Sequence, residues 1–305
     1  MSDSLVQIGN SGDSEPPRER RPDWLRIRLS TPESYHEVRR LVTGLSLNTV
    51  CEEARCPNIY ECWGEHGTAT FMILGDICTR RCGFCSVTSG RPNPGVERDE
   101  PQRVAEAVST MGLTHAVITS VDRDDLPDGG AKHFADVTRA IHRACPATAV
   151  ELLTPDFKGV PKALDIVLGS APEVLSHNME TVPRLYRQAR PGSRWNRSLE
   201  ILADAASRLG RGEYSGRVKT GIMVGLGERP EEVSETIREI AAAAVQVLTI
   251  GQYMQPTREH LPVDRWVHPG EFAAYREEAL AAGFMHCESG PLVRSSYHAH
   301  KHVGA

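Results

Sequence analysis

Short apolar runs bounded by turn residues alternate with amphipathic stretches from Thr70 onward. The runs Thr70–Leu74, His115–Ser120, Ala149–Leu153, Glu173–His177, Val218–Val224 and Val247–Gln252 each have the length and apolar density of a buried strand. The stretches between them carry helical spacing: 101–111, then 131–144 with a stripe at Phe134, Val137 and Ile141, then 162–168. Further helices are predicted near 182–189 and 198–209, and at 230–244, where Pro230 sits in the first turn. A last one, 269–282, follows the sixth strand. Six βα units in succession imply a parallel sheet with helices outside it. Such a repeat builds either a doubly wound sheet or a barrel, and six units fall short of the eight of a full barrel. The expected fold is therefore α/β, an incomplete (β/α)6 TIM-like barrel. Thr119, Ser120, Glu151, His177, Asn178 and Gln252 gather at strand ends, and in either architecture that end carries the site.

Before the first strand the pattern changes. Residues 1–22 are polar, with Pro16-Pro17 and mixed charge, and read as a disordered tail. Residues 24–29 read as an arm docking on the body, and 32–41 as a short helix begun by Thr31. Pro57 and Gly64 argue for a compact loop over 51–64. The expected division is a tail (1–22), an N-terminal extension (23–69), the partial barrel (70–283) and a C-terminal segment (284–305).

Composition narrows the function classes. The chain has 305 residues, 40% of them hydrophobic and 25% charged, which suits one large α/β domain. A net charge of −5 offers no basic field for nucleic acid. No apolar run approaches the roughly 20 residues that span a bilayer, and nothing resembles a secretory signal. The expectation is a cytoplasmic protein acting on neither membrane nor nucleic acid.

Of eight cysteines, six fall in two triplets between Cys51 and Cys85. In a reducing compartment such clustering points to metal rather than disulfides. Cys145 and Cys287 stand alone and read as structural thiols. The triplet Cys78-x3-Cys82-x2-Cys85 cannot pair off as disulfides. Zinc sites are closed by four ligands, and no histidine lies near to complete this one. An iron–sulfur cube with three thiolates and one open iron fits the spacing better. Phe84 would place an apolar edge beside that iron.

C-x3-C-x2-C after the first strand of a (β/α) array resembles the radical S-adenosylmethionine (SAM) superfamily. The resemblance implies a 4Fe-4S cluster at Cys78, Cys82 and Cys85, with SAM on the open iron and Phe84 near its adenine. Gly221-Ile222-Met223-Val224-Gly225-Leu226-Gly227-Glu228 is similar to a fifth-strand glycine motif of that superfamily, which implicates Gly225 in cofactor binding. Many members carry Gly-Gly-Glu on the second strand, whereas this chain has Thr119-Ser120-Val121-Asp122. His177-Asn178-Met179-Glu180-Thr181 is similar to a block of biotin synthase, which assigns Asn178 and Glu180 to the ribose hydroxyls; the bland alternative is a helix N-cap.

The first triplet, Cys51-x4-Cys56-x5-Cys62 with its Cys-Glu-Glu-Ala and Cys-Pro-Asn surroundings, resembles the lipoyl synthase family. So do Cys78-Thr79-Arg80-Arg81-Cys82, Arg123–Ala131, His177–Pro183 and Gly290–Tyr297, so that the likeness runs over roughly residues 24 to 299. It implies a second, auxiliary 4Fe-4S cluster held by Cys51, Cys56, Cys62 and a serine of Arg294-Ser295-Ser296-Tyr297, either Ser296 or Ser295. It further implies sulfur insertion at the sixth and eighth carbons of an octanoyl chain on a lysine of a lipoyl carrier domain. The carriers would be 2-oxoacid dehydrogenase lipoyl domains and the glycine-cleavage H protein. A ferredoxin or flavodoxin would donate electrons, and an iron–sulfur carrier protein would rebuild the cluster. Two other readings stay open: a superfamily member whose second cluster only transfers electrons, and a non-enzymatic zinc module. Arg184, Arg187, Arg190, Arg194 and Arg197 form a basic run, read as a solvated face or as a dock for an acidic carrier, with Arg190 gripping the SAM carboxylate. His298, His300 and His302 read as a tail rather than as ligands. No Ser–His–Asp or paired-carboxylate constellation argues for hydrolysis.

Overall fold

The computed structural model describes residues 21–26, 31–64, 69–297 and 299. The expected tail before residue 21, most of the arm beyond Arg26 and the three tail histidines lie outside them. In chain order come α1 (Glu33–Gly44), β1 (Asn48–Thr49), α2 (Val50–Glu53), α3 (Ile59–Gly64) and β2 (Thr70–Ile73). Next are β3 (Ile77–Cys78), β4 (Thr88–Ser89), α4 (Glu100–Thr110), β5 (His115–Ser120), α5 (Ala131–Ala144), β6 (Ala149–Leu153) and α6 (Ala163–Leu168). The remainder is β7 (Val174–Ser176), α7 (Tyr186–Ala189), α8 (Trp195–Gly210), β8 (Arg217–Val224), α9 (Pro230–Ala242), β9 (Val247–Gln252), α10 (Pro269–Ala282) and β10 (His286–Gly290).

The main sheet runs β1-β2-β5-β6-β7-β8-β9-β10 and does not close on itself. From β2 to β10 every pairing is parallel, which bears out the incomplete barrel. Two edge strands extend it beyond the six expected. β10 adds a parallel strand beside β9, and β1 pairs antiparallel with β2. The first cysteine stretch is not a plain loop either. It is two short helices, α2 and α3, separated by a turn in which Arg55 takes a φ of 50°.

Strands such as β5 are buried along almost their whole length, which is why they read as continuous apolar runs. One pattern break has a structural cause. Glu151 of β6 is not at the strand ends with the other polar residues but inside the sheet, with Lys219 Nζ 2.7 Å from Oε1 and His115 Nε2 3.3 Å from Oε2. Burial opposes its charge, yet Lys219 and His115 together hold its carboxyl down to about 2. Lys219 is itself fully buried. Lys219→Met should therefore cost about 3–5 kcal/mol of stability by stranding a buried carboxylate. Urea unfolding checks this, and Lys219→Met/Glu151→Leu should recover most of the loss.

Candidate active site

Cys78 closes β3, and Cys82 and Cys85 follow in the loop that leads to β4. The loop is fastened from four directions. Thr79 donates its backbone N–H and its hydroxyl to the Asp122 carbonyl, at 3.0 and 2.9 Å. The Gly83 N–H reaches the Ala189 carbonyl at 2.9 Å, and the Gly83 carbonyl accepts from Leu261 at 2.9 Å. His260 Nε2 lies 2.9 Å from the Cys85 carbonyl. Arg80 makes the fourth tie. Its side chain is 2% exposed and forks onto both Asp124 oxygens at 2.9 and 2.8 Å. The same guanidinium reaches Asp156 at 2.6 Å and the Ser193 hydroxyl at 3.1 Å. A planar five-donor cation suits this fan of acceptors where lysine would not. In the sequence Arg80 stands out only as part of the Cys78–Cys82 block, because its partners lie far along the chain.

A cavity of about 520 Å³ opens at the C-terminal ends of the strands, and Cys78, Cys82, Cys85, Phe84, Asn178 and Glu180 line it together with Arg190. Thr119, Ser120, His177 and Gln252 line it too, as their strand-end positions predicted. Burial, reinforced by the other nearby negative groups, pushes the Cys82 thiol up to about 12 and that of Cys85 to about 11. Thiols so placed are poor nucleophiles, since reactive cysteines sit where the thiolate is favoured. They are apt ligands, because a bound cation displaces the proton. Among the described residues, no three His, Cys, Asp or Glu side chains converge as for one metal ion. The thiols are grouped around a void instead, a donor set that fits a polynuclear sulfide centre.

The His177–Glu180 stretch forms the facing wall. His177 is buried between the Thr154 carbonyl at 2.8 Å and the Ser198 hydroxyl at 2.9 Å, and burial drops it to about 4, so it is neutral. This histidine positions the wall. Asn178 Oδ1 is buried without a hydrogen-bond partner, and the Asn178 carbonyl accepts from Arg190 Nη1 at 2.7 Å. Glu180 adopts a φ of 68°, which a non-glycine residue holds only when its surroundings fix it. Here they do, through Glu180 N to the Gly221 carbonyl at 2.9 Å and Met223 N to the Glu180 carbonyl at 2.7 Å. Burial raises the Glu180 carboxyl while Arg190 pulls it back. A Cβ on Gly221 would fall 3.0 Å from Asn178 Oδ1, so this glycine makes room for the wall. Gly225 stands apart from the lining residues. Its φ is 96°, and a Cβ there would meet Gln252 Nε2 at 2.1 Å and the Arg265 carbonyl at 2.7 Å. Glu228 accepts from the N–H groups of Gly225 and Leu226, so this part of the motif builds a turn under the cavity.

Asp122 fills the place of the absent Gly-Gly-Glu. It lines the cavity, its N–H lies 3.3 Å from Cys78 Sγ, and its Oδ1 faces Arg80 at 3.3 Å without a hydrogen bond. The arginine run does not form one face. Arg184 pairs with Glu232, Arg197 pairs with Asp156, and Arg190 is buried in the wall.

A second cavity, about 270 Å³, is lined by Cys51, Cys56, Cys62, Arg294, Ser296 and Tyr297. Ser295 lines only the larger cavity, whereas Ser296 lines both. The N-terminal helices and the C-terminal segment are tied across it. Asn58 Nδ2 donates to the Leu292 carbonyl at 2.8 Å and Tyr297 OH lies 3.1 Å from Glu61. Burial pushes the Cys51 thiol up to about 12 and raises that of Cys56.

Residues 72–240 match the radical SAM superfamily, and residues 8–56 match the N-terminal domain of lipoyl synthase. Lipoyl synthase of Rubrobacter xylanophilus is 55% identical over 93% of this chain and 87% of its own length. That of Koribacter versatilis is 50% identical over 100% of this chain and 97% of its own. The chain belongs to the lipoyl synthase family. Solved structures agree at the level of fold. Streptococcus suis SuiB superposes with a TM-score of 0.53 at 12% identity, over 76% of this chain and 52% of SuiB. The hydrogenase maturase HydG does so with a TM-score of 0.51 at 14% identity, over 75% of this chain and 58% of HydG. The chain thus spans about half the length of these structural neighbours. As a lipoyl synthase of the radical SAM superfamily, the protein uses a 4Fe-4S cluster and SAM. No described helix is long and apolar enough to cross a membrane.

Proposed function

We propose that this lipoyl synthase inserts two sulfur atoms, at the sixth and eighth carbons, into an octanoyl chain borne by a lysine of a lipoyl domain. Cys78, Cys82 and Cys85 would hold the cluster that binds SAM, and Cys51, Cys56, Cys62 and Ser296 an auxiliary 4Fe-4S cluster that serves as sulfur donor. The bound groups supply one-electron cleavage of SAM, an abstracting radical and sulfide. The protein's own residues do the rest. Arg190 holds the Asn178 carbonyl and offsets the Glu180 charge, which keeps both side chains on the cavity where a ribose can be met. Phe84 offers an apolar surface beside the thiols. Ser296 is a harder donor than a thiolate, and so the weakest of the four proposed ligands and the natural place for iron to leave.

What supports a sulfur-donating role is the wall common to the two cavities. Cys51, Cys56, Thr70, Arg294 and Ser296 line both, so that the second triad adjoins the chamber of the first. A centre that only passed electrons would need no such opening. The finer partners are read from the chemistry. A low-potential ferredoxin or flavodoxin would reduce the cluster at Cys78–Cys85, an iron–sulfur carrier would renew the spent one, and the reducing cytoplasm suits both. Anaerobic incubation with an octanoylated lipoyl-domain peptide, SAM and reductant should give a dithiolated peptide by mass. Deoxyadenosine formed with no thiolated peptide would sink the reading.

A further inference from the structure

Arg294 is a half-buried cation that faces the cysteine-lined cavity. It belongs to the segment that carries Ser295 and Ser296, and its guanidinium makes one hydrogen bond, from Nη1 to the Val293 carbonyl at 2.6 Å. Among the described residues no carboxylate pairs with it. Its exposure is intermediate, and it lines both cavities at their common wall. A guanidinium with most of its donors unused, on a wall shared with Cys51 and Cys56, is placed to meet negative charge held between them. Its position is built in. A Cβ on Gly251 would come within 2.1 Å of the Val293 carbonyl and 3.4 Å of Arg294 Nη1, so a glycine inside β9 lets this segment close against the barrel.

We propose that Arg294 is the fixed counter-cation of the auxiliary centre, a positioning residue that holds its thiolate- and sulfide-borne negative charge at the wall between the two cavities. The inference rests on the assignment of Cys51, Cys56 and Cys62 as cluster ligands. Its requirement is charge together with a planar fork of donors: lysine keeps the first, glutamine keeps hydrogen bonding alone, methionine keeps neither.

The test uses the full-length protein with both clusters rebuilt anaerobically, as wild type, Arg294→Lys, Arg294→Gln and Arg294→Met. Two readouts are independent of turnover: the rate at which an iron chelator strips the auxiliary cluster, and that cluster's midpoint potential. The potential is measured with Cys78, Cys82 and Cys85 replaced by alanine so that one cluster remains. Arg294→Gln and Arg294→Met should lose auxiliary iron at least roughly tenfold faster and show a more negative potential. Arg294→Lys should restore the potential and slow the loss, while SAM cleavage stays at the wild-type level throughout. Unchanged stripping and potential in Arg294→Gln would overturn the proposal, as would equal impairment of Arg294→Lys and Arg294→Gln. If the neutral variants retain no auxiliary iron at all, Arg294→Lys alone decides, by retaining the cluster or failing with them. Wild-type protein binding one cluster's worth of iron instead of two would sink the two-cluster assignment itself, a different outcome from either.

Discussion

Cys51→Ala should continue to cleave SAM at close to the wild-type rate while forming no thiolated peptide. The two triads are built on separate parts of the chain. Cys51 lies in α2, packed against the sheet edge, and Cys78, Cys82 and Cys85 lie in a loop fastened by Asp122, Ala189, Leu261 and the Arg80 carboxylates. Removing one buried thiol from the second cavity leaves every tie of the first loop in place. Cys78→Ala should instead abolish both activities, since no radical is then made. Chromatography of deoxyadenosine beside mass spectrometry of the peptide separates the two. If Cys51→Ala loses both together, the division of labour between the triads is wrong.

Arg80→Met should carry a large cost to stability. It leaves Asp124 without its fork and Asp156, whose side chain is fully buried, with Arg197 alone at 2.7 Å. Breaking a buried ion network from one side costs about 3–5 kcal/mol. The change should also release the Cys78–Cys85 loop, so iron content at that site should fall in whatever protein still folds. A pH signature accompanies it. Burial works against the Asp156 charge, but Arg80 and Arg197 outweigh it and hold the carboxyl well below the usual range. A depressed carboxylate stabilises above its unfolded pKa of about 4 and loses that contribution as pH falls through the folded value. Wild-type stability should therefore drop on acidification below about pH 4, and the drop should be shallower in Arg80→Met. Chemical denaturation at several pH values measures both effects. An unchanged slope would mean that Arg197 alone sets the Asp156 charge.

The elements most legible in the sequence were those whose burial is uniform. β5, α5, β6, β9 and α10 fall where apolar period and turn residues placed them, because each presents a continuous buried face or stripe. β10 was invisible for the opposite reason. His286-Cys287-Glu288-Ser289-Gly290 has no apolar run, and as an edge strand its form is fixed by pairing with β9. The two residues of β1 are too few to show any period. At the site, the close spacing within each thiol triad brought both out of the sequence, and the structure sets them on two adjoining cavities. What spacing could not supply were residues defined by distant partners: Arg80 with Asp124 and Asp156, Asp122 beside Cys78, and Arg294 between the cavities. The arginine run misled for the same reason: Arg184 pairs with Glu232, Arg197 with Asp156, and Arg190 is buried in the cavity wall.

The tie between Asn58 and Leu292 joins residues 234 positions apart, and Ser296 lies just beyond it. On the ribosome, the Cys51–Cys62 stretch emerges on the order of tens of seconds before the segment that closes its cavity, at usual rates of elongation. Most of the walls of the larger cavity, by contrast, are in hand once β9 and the stretch through Leu261 have been made, with Val293–Ser296 still to come. A nascent chain can thus complete the means of making a radical before the place that would hold the sulfur to quench it. If Cys51, Cys56, Cys62 and Ser296 hold an auxiliary cluster as proposed, its delivery waits for the end of translation, and a truncated product that lacks the last stretch would be a radical generator with no outlet.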